Sequence, residues 1–280
     1  MDQAQRLREL VETKQPVRVI SLSSGKGGVG KTVLSVNIAL TMSRYGLRVL
    51  VLDADFGLAN IDVMLGVSSK YNLSHFLSGE KSFKEIIQKG HEGVNFVSGG
   101  SGLEALLNMD DTHTERLVES VTSPEVPIDI VIIDTGAGIN DKVMQMVMAS
   151  SESVVVTTAE PTAVLDAYAM IKMVYKANPT LPVNVIVNKC QGTKEAARVS
   201  QALMDFAKKH LDKEINHLGS IMFDHDVTNS IKRQLPLAIS DPGGPTSKQI
   251  DSIVRMLLEK PIEKEYQGVL SKLFSRLRSF

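Results

Sequence analysis

The 280-residue chain is predicted to be α/β: three layers, with a mostly parallel central sheet and helices on both faces. Three observations carry this. Short runs rich in Val, Ile and Leu alternate with segments of helical apolar spacing, the pattern of successive βα units. The run Ile130-Val131-Ile132-Ile133 is continuously apolar, which suits a strand covered on both faces. The first of the strand-like runs, Val17-Arg18-Val19-Ile20-Ser21-Leu22, leads through a glycine-rich loop into Val33-Leu34-Ser35-Val36-Asn37-Ile38-Ala39-Leu40, which reads as a helix.

In chain order, strands are expected at 17–23, 48–53, 94–97, 129–134, 153–158, 183–188 and 217–222. Helices are expected near 31–45, 103–121, 141–150, 162–177, 193–211, 226–233 and 245–259. Met144, Met146 and Met148 fall at helical spacing and are expected to pack the core. There is no internal repeat and no low-complexity tract. Pro16 and Pro261 set off two ends, so the expected organisation is residues 1–15, a core at 16–260, and residues 261–280.

Composition narrows the class. An apolar content of 43% is ample for one large core, and a net charge of −1 gives no global attraction to nucleic acid. The single cysteine, Cys190, rules out an intrachain disulfide framework or a CxxC site and suits a reducing cytosol. No apolar run approaches the roughly 20 residues that span a bilayer. Met1-Asp2-Gln3-Ala4-Gln5 lacks the basic and apolar regions of a signal peptide, so a cytoplasmic protein is expected. The six histidines are scattered without metal-ligand spacing.

The loop itself reads Ser24-Gly25-Lys26-Gly27-Gly28-Val29-Gly30-Lys31-Thr32. Between a strand and a helix this is a phosphate-binding loop. Its glycines let the backbone turn N–H groups inward around a polyphosphate, and the helix N-terminus adds partial positive charge. Lys31 would hold the β- and γ-phosphates and the Thr32 hydroxyl would ligate Mg²⁺. Further along, Ile130-Val131-Ile132-Ile133-Asp134 is a Walker B pattern, a buried strand delivering one carboxylate to a water-mediated Mg²⁺ contact. Gly136 and Gly138 behind it leave a backbone free to rearrange around a γ-phosphate. Asp53 and Asp55 leave a strand end beside the loop, suited to the Mg²⁺ shell and to orienting a water, or alternatively to capping a turn. Val187-Asn188-Lys189-Cys190-Gln191 has glutamine where a guanine reader needs an aspartate, which favours adenine. ATP and Mg²⁺ are therefore the expected ligands.

Lys26 is not required by an ordinary phosphate loop. With it, K-G-G-x-G-K-T resembles the deviant Walker A motif of the MinD/ParA family, and Asp53-Ala54-Asp55-Phe56-Gly57-Leu58-Ala59-Asn60-Ile61-Asp62 resembles that family's switch I. The resemblance implies a MinD-like fold and an ATP-bound homodimer in which Lys26 reaches the partner's phosphates. It further implies slow, regulatory ATP hydrolysis. By the same match, Asp55 positions the attacking water and Asp53 supports the metal region. Asn188 touches the adenine, and Asp224 lies in a second base-side loop, although Met222 stands where many family members have proline.

The two ends point to a branch of that family. Leu270, Leu273, Phe274, Leu277 and Phe280 form one apolar stripe flanked by Lys272, Arg276 and Arg278. A short cationic amphipathic helix of this kind lies in an anionic bilayer interface, the alternative being a last helix docked on its own core. It resembles the C-terminal membrane-targeting helix of MinD-like ATPases. At the other end, residues 2–11 make a short amphipathic helix that either frays or folds on a partner. Asp2-Gln3-Ala4 followed by Leu7-Arg8 resembles the D-Q-A-x-x-L-R activator segment of the FlhG (FleN/YlxH) regulators of flagellar number and placement. That resemblance implies stimulation of the GTPase FlhF through Gln3, Leu7 and Arg8, with Gln3 at the partner's GTP site. Flagellar basal-body or C-ring components are further implied partners, and the expected location is the cytoplasm, reversibly at the inner face of the cell membrane. A division-site MinD ATPase is the nearest rival, and a ParA-type DNA-partition ATPase a third. One cysteine argues against a cluster-carrying reductase, since a bridged cluster needs several thiolates.

Overall fold

A computed structural model describes residues 17–55, 61–100, 120 and 125–259. The elements run β1 (Arg18–Ser24), α1 (Lys31–Arg44), β2 (Val49–Ala54), then three short helices α2 (Ile61–Leu65), α3 (Leu73–Leu77) and α4 (Phe83–Ile86). β3 (Gln88–Lys89), a 3₁₀ turn and β4 (Asn95–Ser98) follow, then β5 (Ile130–Ala137) and α5 (Asp141–Met148). The second half alternates β6 (Glu152–Thr158), α6 (Pro161–Ala177), β7 (Val183–Cys190), α7 (Thr193–Leu211) and β8 (Asn216–Met222). It closes with α8 (His225–Lys232), α9 (Leu237–Ser240) and α10 (Pro245–Leu258).

Among the described residues eight strands order as β3-β4-β2-β5-β1-β6-β7-β8, parallel throughout except for the β3/β4 pair. The expected three-layer sheet is therefore present. β1 lies between β5 and β6, and the chain builds outward from it on both sides, so the loop after β1 opens at a topological switch point. Ligands bind there in open α/β sheets.

Alternation along the strands divides the apolar side chains between two faces. Ile20 and Leu22 of β1 and Val154 and Val156 of β6 pack with Leu34 and Ile38 of α1 and Ile250 and Ile253 of α10. The intervening Val155 packs with α5, α6 and α7, where Val147, Met170 and Leu203 are buried. Met144, Met146 and Met148 are all buried, as their spacing predicts.

All seven predicted strands form, within two or three residues of their expected ends. The helix expected near 103–121 lies outside the described residues apart from Ser120. Periodicity missed α2–α4, β3 and α9, because elements of two to five residues complete no apolar repeat. Two of these helices carry a local signal nonetheless. Asn72 with His75, and Ser82 with Glu85, form reciprocal capping boxes that satisfy first-turn backbone donors.

A buried polar chain ties the sheet together at the edge opposite the loop. Arg18 Nε donates to Glu152 Oε1 over 2.6 Å, and its Nη1 donates to the Leu257 carbonyl at the end of α10 over 2.7 Å. Glu152 Oε2 accepts from Asn184 Nδ2, and Asn184 Oδ1 accepts from Asn216 Nδ2, so the chain crosses β1, β6, β7 and β8. Both ions are about 5% exposed, and removing one strands the other in a dry layer. Arg18→Ala should cost about 3–5 kcal/mol in urea unfolding. Arg18→Met paired with Glu152→Gln should recover much of that loss.

Candidate active site

The loop after β1 is held in shape by its glycines and by two side chains from β7. Gly30 closes it at φ +93°, the left-handed region, and a Cβ there would overlap Asn188 Nδ2. Asn188 Nδ2 donates to the Val29 carbonyl over 2.8 Å, and Lys189 Nζ donates to the Gly28 carbonyl over 2.7 Å. Carbonyls that would face inward are thus turned outward, leaving the loop's N–H groups for an anion. Gly25, at the start of the loop, lets the backbone of α6 pass beside it at Asp166.

Behind the loop lies the dry carboxylate of Asp134. Asp134 is fully buried within β5, after four apolar residues; Lys31 Nζ stands 3.6 Å from its Oδ1, and Ser35 Oγ donates to the same oxygen over 2.9 Å. Burial pushes its pKa up; the Lys31 ammonium and the Thr32 and Ser35 hydroxyls oppose that, while Asp55 adds to it. Its second oxygen, Oδ2, is buried with no hydrogen-bond partner among the described residues. A buried acceptor left over beside Lys31 and Thr32 fits a Mg²⁺ shell, with Thr32 as ligand and Asp134 acting through water. Bound there, the ion would neutralise charge developing on the phosphates.

Asp53 pairs with Asp134 across β2 and β5. Its Oδ1 accepts from the Asp55 N–H and its Oδ2 from the Ile61 N–H, each over 3.2 Å. Its carboxylate thus holds both sides of the segment predicted to be switch I. Asp55 approaches β5: its Oδ1 comes within 3.7 Å of where a Cβ on Gly136 would stand.

Lys26 points outward. Its Nζ donates to Glu160 Oε2 over 2.6 Å and to Thr162 Oγ1 over 3.1 Å, in a pair 40% and 65% exposed. The hydrogen bond and charge of Lys26 hold the Glu160 carboxyl below its usual range. Where the base side is predicted, the Phe223 N–H donates to the Cys190 carbonyl and joins the two predicted loops. Asp224 caps α8 through the Asp226 N–H and accepts from Thr246 Oγ1, and these bonds lower its pKa.

These parts surround a cavity of about 440 Å³, with Lys26–Thr32 at one end and Asn188, Phe223 and Asp224 towards the other. It turns apolar at Val227, Ile231 and Ile250, as a base pocket does. The structure therefore brings Lys26, Gly27, Gly28, Val29, Gly30, Lys31, Thr32, Asp55, Asn188 and Asp224 to one cavity. Asp53 and Asp134 stand buried behind it. Gln3, Leu7, Arg8 and the stripe from Leu270 to Phe280 lie outside the described residues. Sequence reading missed Ser35, Glu160, Thr162, Lys189 and Thr246. Only Ser35 carries a local hint, a hydroxyl one turn after Lys31 on the same helix face.

A family model described as "ParA: NUBPL iron-transfer P-loop NTPase" matches residues 15–258. The chain belongs to the ParA/MinD family of P-loop NTPases and is an ATPase. Among its relatives is the antiactivator FleN of Pseudomonas aeruginosa, 31% identical over 94% of each chain. The flagellum site-determining protein YlxH of Helicobacter pylori is 34% identical over 100% of this chain and 99% of its own. The septum site-determining protein MinD complexed with Mg-ADP from Pyrococcus horikoshii shares the fold, with a TM-score of 0.71 at 22% identity, covering 87% of this chain and 96% of that one.

Asp134→Asn keeps the shape but removes the charge. It should raise the Mg²⁺ concentration needed for half-maximal ATP hydrolysis by about 10–100-fold. A Mg²⁺ titration of turnover reads this directly.

Proposed function

We propose that this chain is an ATP-switched regulator of flagellum number and placement, cycling between monomer and homodimer at the inner face of the cell membrane. The observation that carries the switch is the placement of Lys26. Lys31, five residues on, is buried against Asp134, whereas Lys26 stands at the mouth of the same cavity in an exposed pair with Glu160. An exposed pair contributes little and is readily exchanged, so Lys26 can leave Glu160 for the phosphates of a second nucleotide. The names of FleN and YlxH support the flagellar assignment, and the MinD bound to Mg-ADP supports ATP with Mg²⁺ as the ligands. The one cysteine speaks against cluster transfer, despite the family model's description.

The ends supply the outputs in this reading. Fully burying a large apolar side chain yields about 1.5–3 kcal/mol, and interfacial burial of a short helix is partial, so one tail of residues 265–280 is a marginal anchor. Two tails on one dimer gain effective concentration and hold far more tightly. Residues 2–11 would stimulate FlhF, docking by the Leu7 and Leu10 stripe and presenting Gln3.

Two substitutions separate the roles assigned to the loop. Lys26→Ala should bind ATP as a monomer and fail to dimerise in size-exclusion chromatography with ATP. Asp55→Ala should bind ATP, hydrolyse it at least tenfold more slowly, on the order of what a positioned catalytic group contributes, and persist as a dimer. A Lys26→Ala protein that dimerises normally removes Lys26 from the interface.

A synthetic peptide of residues 2–11 should accelerate GTP hydrolysis by FlhF, and Gln3→Ala should remove most of the effect. An inert peptide, with full-length protein that also fails to stimulate, would direct the assignment to a division-site ATPase.

A further inference from the structure

Helix α10 runs antiparallel along β8, and three contacts set its register. At the strand's centre, Gly219 has φ +153°, and a Cβ on it would lie 2.8 Å from Ile253 Cγ1, so the helix rests directly on strand backbone. At the strand's end, the Met222 N–H donates to Gln249 Oε1 over 3.0 Å. Just beyond, Thr246 Oγ1 donates to Asp224 Oδ2 over 2.7 Å. Thr246, Gln249 and Ile253 are spaced by three and four residues and share one helix face. The other end of α10 is held by the bond from Arg18 Nη1 to the Leu257 carbonyl.

The Met222 N–H has a specific reason to need a partner. β8 is the last strand of the sheet, so alternate N–H groups along it point away from β7. The Phe223 N–H is spent on the Cys190 carbonyl of β7, which turns the Met222 N–H to the open side. Gln249 supplies the missing acceptor from a helix that is itself seated at both ends. Met222, Phe223 and Asp224 line the cavity opposite the phosphate loop.

The geometry points to Gln249 as a positioning residue for nucleotide affinity: it holds the Met222–Asp224 loop at the distance from the phosphate loop that a nucleoside triphosphate spans. The inference rests on the reading of that end of the cavity as the base site. Gln249 touches no phosphate and none of the reacting atoms. Its effect should fall on the base-dependent part of binding and leave the chemical step alone.

Calorimetric titration of the full chain with ATP and, separately, with inorganic tripolyphosphate tests this. Wild type should bind ATP the more tightly. Gln249→Ala should weaken ATP binding about 3- to 10-fold, the worth of one hydrogen bond, and leave tripolyphosphate binding unchanged. KM for ATP should rise by a similar factor with kcat held. Gln249→Glu retains an acceptor oxygen and should return ATP affinity to within about twofold of wild type. Equal loss of both ligands, or no rescue by Gln249→Glu, would reduce Gln249 to a general packing role and overturn the inference. Unchanged ATP affinity in Gln249→Ala, with wild type still preferring ATP, would overturn it while sparing the base site. A wild type that binds both ligands equally would overturn the base site and the inference together.

Discussion

Everything at the nucleotide end is arranged around the carboxylate of Asp134, held where no water reaches it. Asp134 follows four apolar residues within β5, and burial alone would drive it towards the neutral acid. Lys31 and Ser35, both on the first turns of α1, oppose that drift. The arrangement binds α1 to β5 and hence sets where the phosphate loop sits above the sheet. It also leaves Asp134 Oδ2 unspent. A buried acceptor without a partner is costly to keep in an idle structure and useful in one that receives a hydrated cation.

Side chains around the cavity hold loops. Asn188 and Lys189 brace the phosphate loop, Asp53 bridges the two sides of the switch segment, and Asp224 caps α8 while tied to α10. Each bond fixes a backbone whose N–H groups or flanking side chains do the binding. Such preorganisation lowers the ordering cost at the moment a ligand arrives. One short segment, residues 188–190, thereby braces both ends of the cavity.

Burial separates the two lysines of the loop more sharply than their sequence does. Lys31, 7% exposed, meets Asp134 in a medium where attraction is strong and breaking the pair is expensive. Lys26 meets Glu160 in water, where the attraction is largely screened. The first lysine is thereby a structural member of the site and the second a movable one. That asymmetry supports the association switch proposed for this chain, since it joins a rigid receptor to an exchangeable contact.

Much of this was legible before the fold was known. Strands β1, β2 and β4–β8, the phosphate loop, Asp134 and the buried methionines are encoded locally, by periodicity of two or 3.6 residues and by glycines at fixed offsets. Resemblance to the family's motifs placed Asp53, Asp55, Asn188 and Asp224 as members of one site. What local pattern could not supply was any pairing between residues far apart in the chain. Lys26 with Glu160, Arg18 with Glu152 and Leu257, and Met222 with Gln249 each join elements separated by 27 to 239 positions. No repeat or spacing marks such partners, because their meeting is set by strand order and helix packing. Sequence by itself determined that a nucleotide loop, a Walker B strand and a doubly covered sheet would form. Tertiary structure alone decided which charges are dry, which hydrogen bonds are already spent, and which lysine is free to move, since burial and proximity belong to the assembled layers and not to any one segment.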